Sequence, residues 1–191
     1  MGWGRGVVAT DGPGTRRASD PVKKEGDGRA PAGVFDLGSA FGYAAQPLRG
    51  LRMAYLSLKH STECVDDQHS KYYNRIVDRS AVAPDWNSSE RMRSVGKAYR
   101  WGIVIGQNGS AREPDTGQSV AGDGSCVFLH IWSGAGRGTA GCTAMPQGEL
   151  ETLLTWLAPA SKPLLVQLPA PEYARFLNPW RLPPSGSSDH R

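Results

Sequence analysis

Two residues in the second half of the chain, His130 and Cys142, have side chains suited to nucleophilic catalysis. A cysteine becomes a strong nucleophile near neutral pH when a base takes its proton, and histidine is the usual base. Cys142 follows His130 by 12 residues, and four glycines between them allow the chain to turn back. A lone cysteine or a lone histidine in an apolar strand is more often structural, but the pair favours a Cys–His acyl-transfer site.

The residues that follow Cys142 predict a helix, which Pro146 would open. Four leucines then recur at helical spacing, namely Leu150, Leu153, Leu154 and Leu157. Backbone N–H groups near a helix N-terminus lower a thiol pKa and can hold an oxyanion. The order of histidine before cysteine argues against papain-like peptidases, in which the cysteine comes first.

The cysteine count limits the other chemistry that the chain can carry. Cys64, Cys126 and Cys142 are three cysteines, so they leave open one disulfide bridge and one free thiol. They include no C-x-x-C spacing that would indicate zinc. His60 and His69 are too far from any cysteine or carboxylate group to make a known metal-ligand spacing. We therefore expect neither a metal nor another cofactor.

Composition predicts one loop-rich domain of β-dominated α+β class. The chain has 191 residues, of which 24 are glycine and 14 proline, and few apolar stretches have helical periodicity. The formal net charge of +4 is too small to indicate nucleic-acid binding. The longest apolar runs fall far short of the roughly 18 residues that a membrane span needs. The N-terminus has no apolar segment typical of a signal peptide.

Hydrophobic patterning predicts the elements that would position the histidine and the cysteine. We expect strands over residues 33–37, 51–58, 101–106, 127–132 and 162–168. Residues 146–157 and 172–177 are expected to be helical. Residues 64–89 read as a long ordered loop, and residues 108–123 and 133–142 as connections. His130 would thus lie in the clearest core strand and Cys142 at the end of a glycine-rich turn.

The histidine and cysteine motifs resemble those of the L,D-transpeptidase catalytic domain (YkuD-like). Phe-Leu-His at 128–130 and Thr-Ala-Gly-Cys at 139–142 are similar to the family's strand histidine and its Ser/Thr-His-Gly-Cys motif. Residues 24–35 are similar to its early lysine and Thr-Pro-x-Gly-x-Phe segment. The chain also resembles a divergent bacterial branch of this family in its motifs at 63–67, 73–74, 124–126 and 139–145. The resemblance covers residues 21–183.

This resemblance implies a sandwich-like β-rich domain that transfers acyl groups of peptidoglycan stem peptides. The Cys142 thiolate would attack the carbonyl before the terminal D-amino acid, and His130 would act as base. The main-chain carbonyl of Ile131 would orient the imidazole, and the N–H groups of Gly141 and Cys142 would form the oxyanion hole. A stem amine or water would then resolve the acyl-enzyme, giving transpeptidase or L,D-carboxypeptidase activity.

The chain departs from the family at two positions that flank the cysteine. The family's histidine two residues before the cysteine is Ala140 here, and its arginine two residues after is Ala144. The missing arginine leaves open how a substrate carboxylate is held. The substrate-binding candidates are Thr139, Arg137, Lys24, Arg29, Tyr73 and Asn74.

The resemblance also implies a setting and a domain layout. Peptidoglycan lies outside the cytoplasm, so we expect a periplasmic or cell-wall-associated monomer whose N-terminus has been trimmed. If Cys142 is the nucleophile it is free, which leaves Cys64 and Cys126 as a candidate disulfide. Residues 1–20 would be an N-terminal segment, 21–183 the catalytic domain and 184–191 a flexible tail. The alternatives are another cysteine amidohydrolase and a catalytically silent wall-binding module.

Overall fold

The computed structural model describes residues 1–3, 17–109 and 119–184. Within them the chain is rich in strands and has two α-helices, in agreement with the predicted β-dominated α+β class. The strands are β1 Gly2–Trp3, β2 Pro31–Gly42, β3 Tyr55–Ser57, β4 Thr62–Val65, β5 Ile76–Asp78, β6 Ser89–Arg91, β7 Trp101–Ile105, β8 Phe128–Ile131, β9 Thr143–Met145 and β10 Leu164–Gln167. The α-helices are α1 Gln147–Trp156 and α2 Ala170–Phe176, and short 3₁₀ helices span Arg79–Ala81, Met92–Ser94, Gly96–Arg100 and Pro159–Ser161.

The long strand β2 organises the larger sheet. Its first half pairs with β1 and β10, and its second half pairs with β3 and β7. The sheet then continues from β7 through β8 to β9. A register shift between Leu37 and Ala40 separates the two halves of β2. A strand of 12 residues can therefore serve two sets of neighbours.

Both faces of the larger sheet are covered, and alternate residues of its strands point to opposite faces. On one face, Leu129 packs in a cluster with Leu150 and Leu154 of α1. These two leucines are fully buried and four residues apart, so they lie on one side of the helix. On the other face, Phe128 packs in a second cluster with Tyr99. The 3₁₀ helix Gly96–Arg100 contacts β8 on this second side.

A second, three-stranded sheet has the order β5–β4–β6. Its strands include residues 64–65, 76–78 and 89, so the prediction of a long ordered loop over 64–89 misses these strands, whereas most of the segment between them lies outside strands. The hydrophobic pattern does not predict these strands, because they have only three or four residues and carry polar side chains. Glu63 of β4, for example, is buried and accepts hydrogen bonds from Trp86 Nε1 and Ser89 Oγ. A hydrophobic pattern cannot reveal a strand whose buried side chain is a carboxylate.

Other predicted boundaries need correction too. Only Tyr55–Ser57 of the expected 51–58 strand is extended and paired, because Leu51 and Met53 pack against the core from an irregular segment. The strand β9, Thr143–Met145, was predicted as neither strand nor helix. The expected strands at 33–37, 101–106, 127–132 and 162–168 and the helices from 146 and 172 are present with shifted ends.

Two further predictions concern the terminal segments and the presence of a membrane span. Most of the proposed N-terminal segment (residues 4–16) and of the proposed tail (185–191) lies outside the described residues. No helix among the residues that the structure describes is both long and apolar enough to cross a membrane.

A disulfide joins Cys64 and Cys126, with their Cα atoms 6.0 Å apart, and the expected pairing is confirmed. Cys64 belongs to β4 of the smaller sheet, and Cys126 lies two residues before β8 of the larger sheet. The bridge therefore ties the two sheets together beside the strand that carries His130. It also leaves Cys142 as the free cysteine.

We predict that the double variant Cys64→Ala/Cys126→Ala is less stable by about 4 kcal/mol, because the bridge closes a loop of 62 residues and restricts the unfolded chain. Urea unfolding of the oxidised protein and of the variant measures the difference. Cys142→Ala is the matched control, since it removes a cysteine and keeps the bridge. A double variant within about 1 kcal/mol of the control would show that the bridge does not stabilise the fold.

Candidate active site

Strands β8 and β9 bring the predicted base and nucleophile to the same face of the larger sheet. The two strands are parallel, and His130 lies opposite Ala144 in the register. Because side chains alternate along a strand, Cys142, two residues before Ala144, projects to the same side as His130. Cys142 immediately precedes β9, so the two positions are diagonal neighbours across this pair of strands. The interval of 12 residues is also about the length that a parallel crossover needs.

Gly141 shapes the backbone immediately before the cysteine. It has a φ of +133°, a conformation that side chains disfavour, and a Cβ there would lie 3.1 Å from the carbonyl oxygen of Arg29. Its N–H donates to Thr139 Oγ1 over 3.3 Å, and the Thr139 hydroxyl donates to the carbonyl of Cys142 over 2.5 Å. Thr139 therefore holds this turn, and the Gly141 N–H must leave Thr139 before it can serve an oxyanion.

The thiol of Cys142 points inward, toward backbone groups of the strand and of the disulfide. The N–H of Phe128 donates to Cys142 Sγ over 3.3 Å, and the thiol donates to the carbonyl of Cys126 at 3.5 Å, a weak contact. The side chain packs against the cluster that contains Phe128 and Tyr99. Within the described residues, the His130 ring is not among the groups that hydrogen-bond to the thiol.

This environment keeps the thiol protonated. Burial raises the pKa of Cys142 to about 11, and the negative charge of Glu90 acts in the same direction. The N–H of Phe128, the Tyr99 hydroxyl and the charge of Lys23 act in the opposite direction but are weaker in sum. At neutral pH the side chain of Cys142 is therefore a neutral thiol.

His130 is buried and has one ring nitrogen committed. Its Nδ1 lies 2.9 Å from the carbonyl oxygen of Ile131, which is the contact that the family resemblance implies. A proton on Nδ1 that is donated to this carbonyl leaves Nε2 as the basic nitrogen. Burial lowers the pKa of His130, and the Ile131 contact only partly opposes that effect. The imidazole is therefore neutral at neutral pH and able to accept a proton.

Tyr99 connects the two predicted catalytic residues, and sequence reasoning did not find it. Its ring lies 5.3 Å from the ring of His130, measured between centroids, and it is only 2% exposed. Its side chain belongs to the cluster against which Cys142 packs. Burial raises the pKa of Tyr99, and the nearby Cys142 and Glu90 act in the same direction. Tyr99 precedes β7 by two residues, and no motif or spacing linked it to the cysteine.

The three cationic side chains that could hold a substrate carboxylate differ in how close they lie to the cysteine turn. Arg137, Lys24 and Arg29 are all exposed. Arg29 approaches the site through its main chain, next to Gly141, whereas the carbonyl of Arg137 accepts a hydrogen bond from Trp132 Nε1. The buried lysine of this segment is Lys23, which the sequence analysis missed. Its Nζ is 2.6 Å from Asp27 Oδ1, so this lysine is already paired.

Tyr73 and Asn74 make structural contacts in the smaller-sheet region. The Tyr73 hydroxyl donates to Glu25 Oε2 over 2.5 Å. Asn74 has a φ of 61°; its side-chain amide donates to the carbonyl of Asn108 over 2.7 Å, and its Oδ1 accepts from the N–H of Cys126 over 2.9 Å. Asn74 therefore fixes the backbone beside the disulfide, and these bonds occupy the polar groups that we expected to meet substrate.

Space for a ligand lies beside the candidate site. A cavity of about 490 Å³ separates β7 and β8 from the smaller sheet, and its wall includes Phe128, Cys64 and Asn74 but neither His130 nor Cys142. The geometry of the thiol and the imidazole is therefore a better guide to the chemistry than this cavity. Within the described residues, no group of three His, Cys, Asp or Glu side chains is placed to hold a metal ion.

Comparison with protein-family models, with curated proteins and with solved structures finds no match to this chain. The resemblance to L,D-transpeptidases therefore depends on the motifs and on the geometry described above.

We predict that alkylation of Cys142 by iodoacetamide keeps accelerating about tenfold per pH unit from about pH 8 to about pH 10, because the reactive thiolate forms only near the raised pKa. Mass spectrometry of the alkylated peptide measures the rate. The same protein unfolded in urea with its disulfide intact is the control, and its profile should level off above about pH 8.5. A folded-state profile that levels off there too would contradict the buried, protonated thiol.

Proposed function

We propose that the protein is a cysteine acyltransferase that acts on peptidoglycan stem peptides, an L,D-transpeptidase with a sandwich-like catalytic domain. One observation carries the proposal: a histidine that a backbone carbonyl orients lies on β8, and a free cysteine lies immediately before the parallel neighbouring strand β9, on the same face of the sheet. The motifs around both residues resemble those of this family. The Cys64–Cys126 bridge is compatible with the oxidising, extracytoplasmic setting in which peptidoglycan lies.

The first half-reaction joins the donor peptide to Cys142. The sulfur attacks the carbonyl carbon before the terminal D-amino acid while His130 Nε2 takes the thiol proton. The carbonyl electron pair moves to oxygen, where the N–H of Cys142 can donate to it. When this pair returns, the carbon–nitrogen bond breaks, and the amine of the D-amino acid leaves with the proton from His130. A thioester with Cys142 remains.

The second half-reaction depends on the acceptor. An amine from a neighbouring stem would attack the thioester carbonyl, lose a proton to His130 and form a cross-link. Water in the same place would release the shortened peptide, which is carboxypeptidase activity. The exposed arginines Arg29 and Arg137 are candidates to hold the substrate carboxylate in place of the family's missing arginine, because they belong to the segments that flank Gly141 and the cysteine turn.

We predict that a carbapenem forms a single covalent adduct on Cys142, because a β-lactam carbonyl reacts with this family's nucleophile as the donor peptide does. Intact-mass measurement followed by peptide mapping detects the adduct. Cys142→Ala should give none, and His130→Gln should react about 100-fold more slowly because the general base is lost.

The control for this experiment is Trp156→Ala. Trp156 lies on α1 with its side chain exposed, outside the thiol and imidazole environment. This variant should react as the wild type does. An unreactive wild type, or an adduct that survives Cys142→Ala, would refute the proposed function.

A further inference from the structure

The cavity of about 490 Å³ between the larger and the smaller sheet has a wall that runs from the core toward solvent. Phe128 of β8 and Cys64 of β4 are buried where they line it. Tyr72 and Arg75, which precede β5, are half-buried wall residues. Sites for small molecules commonly have volumes of about 300–1,000 Å³. The cavity is therefore large enough to hold a small molecule.

Most of the cavity wall is apolar. Leu56 of β3 and Val104 of β7 contribute to it from the larger sheet, and Ile76 of β5 contributes from the smaller sheet. Val104 lies opposite Phe128 in the register of the larger sheet, and Ile76 lies opposite Cys64 in that of the smaller sheet. Each sheet thus presents a pair of neighbouring apolar side chains to the cavity, and an apolar ligand body gains by leaving water for such a wall.

The amide groups that line the cavity are already used by the fold. Asn108 is 2% exposed, and its side chain donates to the carbonyls of Val120 and Gly124 over 2.8 and 2.9 Å. The carbonyl of Asn108 accepts from the Asn74 amide over 2.7 Å and from the Ser119 hydroxyl over 2.9 Å. These groups hold the backbone around the cavity, so they leave little capacity for a ligand.

Arg75 differs from these amides because its guanidinium has no partner. Its main chain is fixed, since its N–H donates to the carbonyl of Tyr72 and its carbonyl accepts from the N–H of Val65, each over 3.0 Å. Its side chain makes neither an ion pair nor a hydrogen bond with the residues that the structure describes. Among those residues, Arg75 is also the one charged group of the cavity wall. A half-buried guanidinium without a carboxylate gains from binding an anion.

Two hydroxyl groups of the wall are available beside Arg75. Ser39 and Tyr72 line the cavity, and in the described part of the chain their hydroxyls have no hydrogen-bond partner. Ser39 lies at the register shift between Leu37 and Ala40 of β2. Such irregularities redirect a side chain from the regular alternation of a strand. The cavity thus offers one cation and two hydroxyl donors within an otherwise apolar wall.

We propose that this cavity binds a small amphipathic carboxylate, whose charged group pairs with Arg75 and whose apolar body lies against the aliphatic wall. A carboxylate carries one negative charge, which matches one guanidinium, whereas a phosphate monoester carries nearly two. A guanidinium can donate to both carboxylate oxygens, and the hydroxyls of Ser39 and Tyr72 can add further hydrogen bonds. Neither His130 nor Cys142 lines the cavity, so this binding is independent of the proposed function.

The test compares decanoate with decan-1-ol, which has the same apolar chain and no charge, by isothermal titration calorimetry below the concentration at which decanoate forms micelles. We expect saturable binding of about one decanoate per chain, tighter than that of the alcohol. Arg75→Gln should bind decanoate at least about tenfold more weakly and leave the affinity for decan-1-ol unchanged, because only the ion pair is lost. Val82→Trp places a large side chain at the wall and should weaken binding of both ligands.

Arg100→Gln is the matched control, because Arg100 is exposed and does not line the cavity. This variant should bind both ligands as the wild type does. A wild type that does not bind decanoate would overturn the proposal, as would unchanged decanoate affinity in Arg75→Gln. Unchanged binding in Val82→Trp would place the ligand elsewhere and overturn it too. Urea unfolding checks that Val82→Trp is folded, and if it is not, Arg75→Gln alone decides.

Discussion

Parallel pairing of β8 with β9 is the constraint on which the candidate site depends, because it brings residues 12 apart to the same face of one sheet. A shift of this register by one residue would turn Cys142 to the opposite face, toward the cluster under α1. Gly141 suits the turn before β9, because side chains disfavour its φ of +133° and a Cβ there would lie 3.1 Å from the carbonyl oxygen of Arg29. The Cys64–Cys126 bridge holds the smaller sheet against the same face.

Burial keeps both candidate catalytic side chains, the Cys142 thiol and the His130 imidazole, uncharged. It raises the pKa of the Cys142 thiol and lowers that of His130, so both groups are neutral near neutral pH. An ion pair of thiolate and imidazolium is therefore not the resting state, so the proposed attack by sulfur requires the thiol proton to move in the same step. Tyr99 lies beside both residues, since its ring is 5.3 Å from the ring of His130 and its side chain belongs to the cluster against which Cys142 packs.

The sequence predicts the parts of this arrangement that have a regular apolar pattern. The β8 strand with its single histidine and the leucine stripe of α1 are such parts, and the Cys64–Cys126 pairing follows once Cys142 is taken as free. The smaller sheet escapes prediction because its short strands bury polar groups such as Glu63. The sequence does not predict which residues surround the cysteine, namely Tyr99, Glu90 and Lys23. Only tertiary contacts bring them near it, and no spacing along the chain indicates them.

The most direct test of the central claim, that Cys142 attacks a stem-peptide carbonyl, is rapid quenching of the wild-type protein with a tetrapeptide donor, followed by mass spectrometry. We expect a thioester on the peptide containing Cys142, equal in mass to the donor less its terminal D-amino acid, and its release when an amine acceptor is added. Turnover of the donor with no such adduct, or with undiminished rate in Cys142→Ala, would contradict the claim.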